Sequence, residues 1–394
     1  LTEAARQALE RIPMLVSLAP REDETAAIAK IHCPDSDPFE SWGDAEPVAG
    51  LVSVQQPLIQ QIGKARSAIE SFAKWAGKPA SAYELVQAHW REAIHPRAIT
   101  QAPFETFWHK ALHDGFAEVK SNLAAAGAFA ATAIAPLEKK AAATAMLQLY
   151  VKPGMLDGAL AYNPWLQELP DPVTKATWDN YASVSPAKAK ELGVKNGDIV
   201  RVGVGETALE LPALVQAGQH DALVAVALGY GRKISARFQD FGPKWIDHRA
   251  TTGANGLVGI NAAPFLAFEA NTVSYLRPGV TLSATGKRQA LAVTQSHHTL
   301  SVPENLDPGG PPRPIVQEVY LSEPEKFPAS DPEVVPELWP PDHPYPGHRW
   351  GMAIDLDACT GCSACVVACQ IENNVPVVGK DEVMRKREMH WIRI

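Results

Sequence analysis

The sequence predicts an α/β plus β protein that ends in the start of a small α+β domain. Three observations predict it. Residues 1–146 carry two amphipathic helical stretches, residues 147–300 carry short alternating strands around one brief helix, and four cysteines crowd into eleven residues near the C-terminus. An acidic, proline-rich segment at 301–345 sets the last part, 346–394, off from the rest. The 394 residues suffice for two or three domains at roughly 100–200 residues each.

In the first region, residues 82–93 (AYELVQAHWREA) put Leu85, Val86, Ala88 and Trp90 near one helical face. Residues 104–116 (FETFWHKALHDGF) repeat the pattern with Phe104, Phe107, Trp108, Ala111 and Leu112. The alanine-rich stretch 123–145 has strong helix formers but little amphipathicity, so a packed helix and an inserted loop both fit. Its nearly uncharged part, 123–136, has 14 residues and falls short of the ~20 that span a bilayer. A lone cysteine, Cys33, lies in the loop-like context His32-Cys33-Pro34 and reads as a small hydrophobe rather than a ligand.

From about residue 147 the texture changes. Ser185 followed by Pro186 is an N-cap with proline at the first helical position, and Gly193 closes a short helix. Asn196-Gly197 marks a tight turn. Residues 198–204 and 207–215 alternate apolar positions, and 223–228 is a wholly apolar run. Short strands around one small helix suggest a barrel. Gly203-x-Gly205 lacks the third glycine of a dinucleotide fingerprint and reads as a turn. Gly229-Tyr230-Gly231-Arg232 offers close backbone approach and a guanidinium to a diphosphate, but a tight turn with an exposed arginine is the plainer reading. Adjacent His297 and His298 point to opposite faces of an extended chain and so do not share one ion.

Charge is concentrated. The 45 residues 301–345 hold nine acids, two bases (Arg313 and Lys326) and 12 of the 33 prolines. They account for −7 of a net charge of −8, the signature of an extended, self-repelling linker that builds no core, with an acidic docking surface as the other reading. That balance argues against a nucleic-acid partner. No Gly-x-Ser-x-Gly, His-Glu-x-x-His or P-loop occurs, so hydrolase chemistry has no support.

The spacing Cys359-x-x-Cys362-x-x-Cys365-x-x-x-Cys369 is the run by which bacterial-type ferredoxins hold iron–sulfur clusters. Short gaps curl the loop so that three thiolates face one cubane. Small intervening residues (Thr360, Gly361, Ser363, Ala364) let backbone amides approach the sulfides. Cys369 is expected to begin the following helix and, as in two-cluster ferredoxins, to serve the other cluster. Structural zinc would more often show two separated pairs or histidines, and c-type haem needs Cys-x-x-Cys-His. These four residues are the candidate cofactor and metal ligands.

Residues 350–394 (WGMAIDLDACTGCSACVVACQIENNVPVVGKDEVMRKREMHWIRI) closely resemble the iron–sulfur subunit of alternative complex III, and more distantly the ferredoxin-like subunits of polysulfide and nitrite reductases. Residues 165–202 (WLQELPDPVTKATWDNYASVSPAKAKELGVKNGDIVRV) resemble the dinucleotide-binding double-psi barrel of molybdopterin oxidoreductases, and 40–57 and 253–264 resemble the same enzymes. The resemblance implies a molybdopterin-oxidoreductase-like α/β region at 1–146, a double-psi barrel at 147–300, and a ferredoxin-type domain at 346–394 after the linker. It implies a respiratory electron-transfer subunit that passes electrons from quinol towards c-type cytochromes. It implies 4Fe–4S clusters (a 3Fe–4S cluster is left open), no molybdopterin, and no independent active site or directly bound small substrate in this chain. The implied partners are an integral-membrane quinol-binding subunit and c-type cytochrome subunits, on the periplasmic face of the bacterial cytoplasmic membrane. The chain reads as a fragment, with further ligand cysteines expected beyond Ile394. Two alternatives stand beside this: an active molybdopterin-dependent oxidoreductase with a fused ferredoxin domain, and an assembly platform in which clusters serve only as staples.

Overall fold

The computed structural model describes residues 3–121, 123, 127, 145–234, 239, 245–246, 250–253, 255–269, 272–295, 319–326, 346–348 and 351–392. Most of the alanine-rich stretch, the His297-His298 pair and most of the acidic segment lie outside the described residues. The chain divides into two compact units, Leu1–Ala142 and Ala143–Ile394.

In the first unit, α1 (Glu3–Glu10) leads to a short parallel pairing of β1 (Val16–Ser17) with β2 (Ile31–His32). β3 (Gly43–Val48) and β4 (Leu51–Gln55) form a hairpin; α2 (Ala68–Trp75), α3 (Ala82–His89) and α4 (Phe104–Asp114) follow, and β5 (Phe116–Glu118) pairs antiparallel with β4. Ser81 and Glu84 form a capping box at the start of α3, which satisfies two otherwise orphaned donors. α4 begins after Pro103 and ends where Gly115 turns left-handed.

The buried face of α4 carries Phe104, Trp108 and Ala111, with Phe107 and Leu112 half-buried, as the periodicity predicts. The face of α3 differs from expectation. Ala82, Val86, Trp90 and Ile94 are buried, whereas Leu85 is half-buried and Ala88 exposed. Ala82, Val86 and Trp90 share one face of an ordinary α-helix, from which Ala88 points away, and the helix then runs into a π-helical turn, Trp90–Ile94, that carries Ile94. Trp90 and Trp108 are fully buried and each finds a partner for its indole N–H: Asp44 Oδ2 at 2.9 Å and the Tyr83 hydroxyl at 3.3 Å. Cys33 is half-buried just past β2, its N–H donating to the Ser17 carbonyl at 2.9 Å.

The second unit opens with β6 (Met146–Tyr150), α5 (Pro164–Glu168), β7 (Ala176–Thr177), β8 (Ala182–Val184) and α6 (Pro186–Leu192). β9 (Asp198–Val204), β10 (Thr207–Val215), β11 (Leu223–Ala227), β12 (Arg232–Lys233) and β13 (Leu257–Val258) come next. β14 (Ala267–Glu269), β15 (Thr272–Ser274), β16 (Leu276–Pro278), β17 (Thr281–Arg288) and β18 (Ala292–Val293) complete the strands, and α7 (Ala364–Glu372) and α8 (Lys380–Met384) close the unit. Seven strands form one mixed sheet in the order β16-β6-β11-β8-β10-β9-β17, with β6/β11 and β8/β10 parallel and the other pairs antiparallel. The expected barrel closure is not seen among the described residues. β16 is three residues long and pairs only with β6 in this sheet, and β17 stands at the other end beyond β9.

Local signals in this unit are realised. Ser185 Oγ accepts the Lys188 N–H at 3.1 Å, Pro186 occupies the first turn of α6, and Gly193 ends it left-handed. The sheet's apolar face packs Leu147, Val184, Val200, Val202, Leu211 and Val226 beneath α6, through Ala189 and Leu192. A second cluster joins Trp178, Ile234, Val258 and Ala292 to Val383 of α8. It fastens the C-terminal segment to the sheet domain.

Truncating Trp108, Trp108→Ala, removes a fully buried indole and leaves a cavity that backbone relaxation only partly fills. A loss of about 3–5 kcal/mol is expected in urea unfolding followed by tryptophan fluorescence and circular dichroism. A loss under about 1 kcal/mol would contradict this packing.

Candidate metal centre

The cysteine loop is organised from its entry. The Asp355 carboxylate accepts the N–H groups of Asp357 and Ala358 at 3.0 and 3.3 Å, and its carbonyl accepts the Cys359 N–H at 3.0 Å. This Asx-type turn aims the chain into the loop. Gly361 and Ser363 then both adopt left-handed backbone, at φ of 68° and 62°. For a serine that conformation is uncommon and costs energy, so the curl is imposed by its surroundings. Ser363 is also the N-cap residue of α7, and its carbonyl accepts the Val367 N–H at 3.0 Å.

α7 begins at Ala364, so Cys369 lies inside the helix and does not begin it. Cys365 and Cys369 are therefore one turn apart on the same side, next to the stripe that buries Val366 and Gln370. Cys359, Cys362 and Cys365 are exposed, Cys369 is half-buried, and all four are free thiols. The Ala364 N–H, with help from the Thr360 side chain, holds the Cys362 thiol below its ordinary range. The Asn373 side-chain amide donates towards Cys369 Sγ at 3.5 Å.

Among the described residues, no group of three or more His, Cys, Asp or Glu side chains is arranged to hold a metal ion. The backbone thus sets the sulfurs in order on one loop and one helical turn without drawing them to a single centre. The donor chemistry fits an iron–sulfur cluster. There are four unbridged thiols, small residues between them, and N–H donors at two of the sulfurs.

What seats this segment is absent from the motif. The Glu168 carboxylate, at the end of α5, accepts the N–H groups of Val378 at 3.0 Å and Gly379 at 2.8 Å, and the Trp178 indole N–H at 3.1 Å. Lys380 continues the contact, its N–H donating to Thr251 Oγ1 at 3.3 Å and its ammonium pairing with Asp179. Burial pushes the Glu168 carboxyl up to about 7, with the Glu388 carboxylate adding to the rise and the three N–H donors opposing it. Sequence reasoning misses Glu168, because a single acid beside Leu169-Pro170 carries no spacing signal.

Residues 229–231 bend the chain between β11 and β12, close to the plainer of the two readings, and Arg232 opens β12. Gly231 has φ of 76°, and a Cβ there would meet the Asn261 backbone nitrogen at 2.2 Å. The glycine is thus required by the chain's own packing. Arg232 is half-buried rather than exposed, and its Nη1 donates to the Gly158 carbonyl at 2.8 Å. Gly205 lies in the two-residue connection between β9 and β10, also a turn.

The 4Fe-4S binding domain family matches residues 350–370, which contain all four cysteines. The iron–sulfur cluster-binding subunit of menaquinone reductase from Nitratidesulfovibrio vulgaris (strain Hildenborough) is 50% identical over 44 residues, 11% of this chain and 17% of that protein. The iron–sulfur subunit of arsenate respiratory reductase from Chrysiogenes arsenatis is 58% identical over 26 residues, 7% of this chain and 87% of that sequence. Acetylene hydratase from Pelobacter acetylenicus superposes with a TM-score of 0.42 at 13% identity, over 66% of this chain and 39% of its own. The chain therefore spans less than a fifth of the menaquinone reductase subunit it matches.

Together the cysteine run and these matches define an iron–sulfur cluster-binding segment, similar to the iron–sulfur subunits of menaquinone and arsenate reductases. Through this segment the chain belongs to the family of iron–sulfur subunits that the Chrysiogenes protein represents.

The raised Glu168 carboxyl has a definite linkage sign. Between its ordinary 4.5 and about 7 the folded chain holds a proton that the unfolded chain releases. Its contribution to stability is full below pH 4.5 and is lost as pH rises through about 7. Glu168→Gln should remove that slope, on the order of 3 kcal/mol across the window, in denaturant midpoints collected from pH 4.5 to 7. An unchanged slope in the variant would show that the proton resides elsewhere.

Proposed function

We propose that the chain is the iron–sulfur subunit of a respiratory quinol-oxidising complex of the alternative complex III type. Cys359, Cys362 and Cys365 hold one 4Fe–4S cluster, and Cys369 serves a second. The observation that carries this reading is the cysteine run itself, contained whole in the 4Fe-4S binding match at 350–370. In this reading residues 1–146 and 147–300 form a molybdopterin-oxidoreductase-like scaffold without its cofactor, the second part of double-psi barrel type. Residues 301–345 are the linker and 346–394 the ferredoxin-type domain. Electrons enter from an integral-membrane quinol-binding partner and leave towards c-type cytochrome subunits, on the periplasmic face of the membrane. No helix of the described residues is long and apolar enough to cross a membrane.

A bound 4Fe–4S cluster supplies one-electron transfer at a potential tuned by burial, charge and hydrogen bonds to sulfur. The chain's own residues do the rest. The Asp355 turn and the left-handed Gly361 and Ser363 curl the loop, Ala364 and Asn373 place N–H groups at Cys362 and Cys369, and Glu168 holds the segment beyond α7 on the sheet domain.

Iron and molybdenum are to be measured in the native protein purified without oxygen. Abundant iron with molybdenum at background is the expected result, and Cys362→Ser should lower the iron content while Cys33→Ser leaves it unchanged. Near one molybdenum per chain would overturn the cofactor-free scaffold and start the search for a small-molecule substrate. Iron unaffected by Cys362→Ser would overturn the ligand assignment.

A further inference from the structure

Lys152 follows β6 and is only 5% exposed, yet its Nζ has no hydrogen-bond partner. Its compensation is loose. Asp171 Oδ2 lies 3.6 Å away, and the ring centroids of Tyr181 and Tyr230 lie at 4.3 and 5.5 Å. Desolvating an ammonium costs several kcal/mol, and one long ion pair with two ring faces offsets this incompletely. Burying this cation is therefore poor design for stability alone.

The position of the charge suggests a use. Lys152, Asp171, Pro172, Tyr230 and Ser363 line one cavity of about 10 Å³, room for a single water. Ser363 directly follows Cys362. Gly361 directly precedes Cys362, and a Cβ on it would stand 3.9 Å from Pro172 Cβ. The loop that carries Cys359, Cys362 and Cys365 thus rests on the wall that contains both charges. Asp171 is fixed there, its Oδ1 accepting the N–H groups of Val173 and Thr174 at 3.0 and 2.8 Å and the Thr174 hydroxyl at 3.1 Å.

We infer that Lys152 and Asp171 are positioning residues that set the reduction potential of the cluster held by this loop, the ammonium raising it and the carboxylate lowering it. The inference rests on the cluster reading above. Reduction adds one negative charge to the cluster and leaves the protein's bonds unchanged, so a fixed cation favours the reduced form and a fixed anion the oxidised one. Both groups are buried, where charges act at short range with little screening by salt.

The test is an anaerobic redox titration of the native protein purified without oxygen, followed by electron paramagnetic resonance, with iron content measured on the same samples. Lys152→Met removes the cation and leaves Asp171 uncompensated, so the midpoint should shift to lower potential. Asp171→Asn should shift it to higher potential, and Lys152→Arg should stay near the parent. Opposite signs from two neighbouring substitutions are the signature, since loosened packing has no reason to reverse between them. If Lys152→Met does not fold, Lys152→Gln and Asp171→Asn carry the same comparison. Full iron and a normal resonance with unmoved midpoints would overturn the inference and leave the cluster reading standing. A parent protein with neither iron nor resonance would overturn the cluster reading, and the inference with it.

Discussion

Three N–H groups converge on the Glu168 carboxylate, two from the backbone of Val378 and Gly379 and one from the Trp178 indole, and the placement of the cysteine segment depends on that convergence. The backbone partners lie 210 and 211 positions along the chain from Glu168. Apolar contact between Val383 and the cluster of Trp178, Val258 and Ala292 supplies attraction but little direction. The carboxylate supplies the direction, because buried backbone donors must be matched and a slip by one residue would leave them unmatched. Asp179 adds a side-chain ion pair with Lys380 beside it, while the Lys380 N–H goes to Thr251 Oγ1, so residues 378–380 are held at three neighbouring points.

From that anchor the geometry propagates back to the thiols. Gln370 and Val366 turn inward from α7, and Gln370 meets the His390 ring at 2.8 Å. This orients the helix so that Cys365 and Cys369 occupy an adjacent face. The loop before α7 then leans on Pro172, which stands four residues after Glu168. A short stretch of sheet-domain chain, 168–172, thus touches the cysteine segment both after α7 and before it. Three of the thiols remain exposed. Exposure is itself one of the levers on a cluster's potential, and it acts on the side of the segment turned away from the sheet.

The features legible in the sequence are those decided within a few residues. Ser185, Pro186 and Gly193 bound α6 because capping chemistry acts over one turn, and β9 and β10 follow the alternation of their own side chains. The cysteine run is legible for the same reason, since its spacing carries the chemistry. Barrel closure is a pairing between distant strands, and no local pattern reports whether β16 and β17 meet. On α3 the expected face is wrong at Ala88, which lies two residues from both Val86 and Trp90 and so points away from them in a helix of 3.6 residues per turn. Glu168 and Lys152 carry no signal in the sequence, since an isolated acid or lysine acquires meaning only from partners brought together by the fold.

The distribution of buried charge gives this arrangement a further rationale. Among the described residues, every buried ionisable side chain of Asp, Glu or Lys type lies in the second unit: Lys152, Glu168, Asp171, Asp179, Asp381, Glu382 and Glu388. The sheet core of the same unit is built from valine, leucine and alanine, so apolar packing was available as a means of stabilisation. Buried ion pairs are a weak source of stability compared with apolar residues of similar volume. Their gathering beside α8 and beneath the cysteine loop is better understood through direction and field. Carboxylates fix where a backbone segment docks, and the buried Lys152–Asp171 pair sets two opposite charges beside the loop that carries the cysteines.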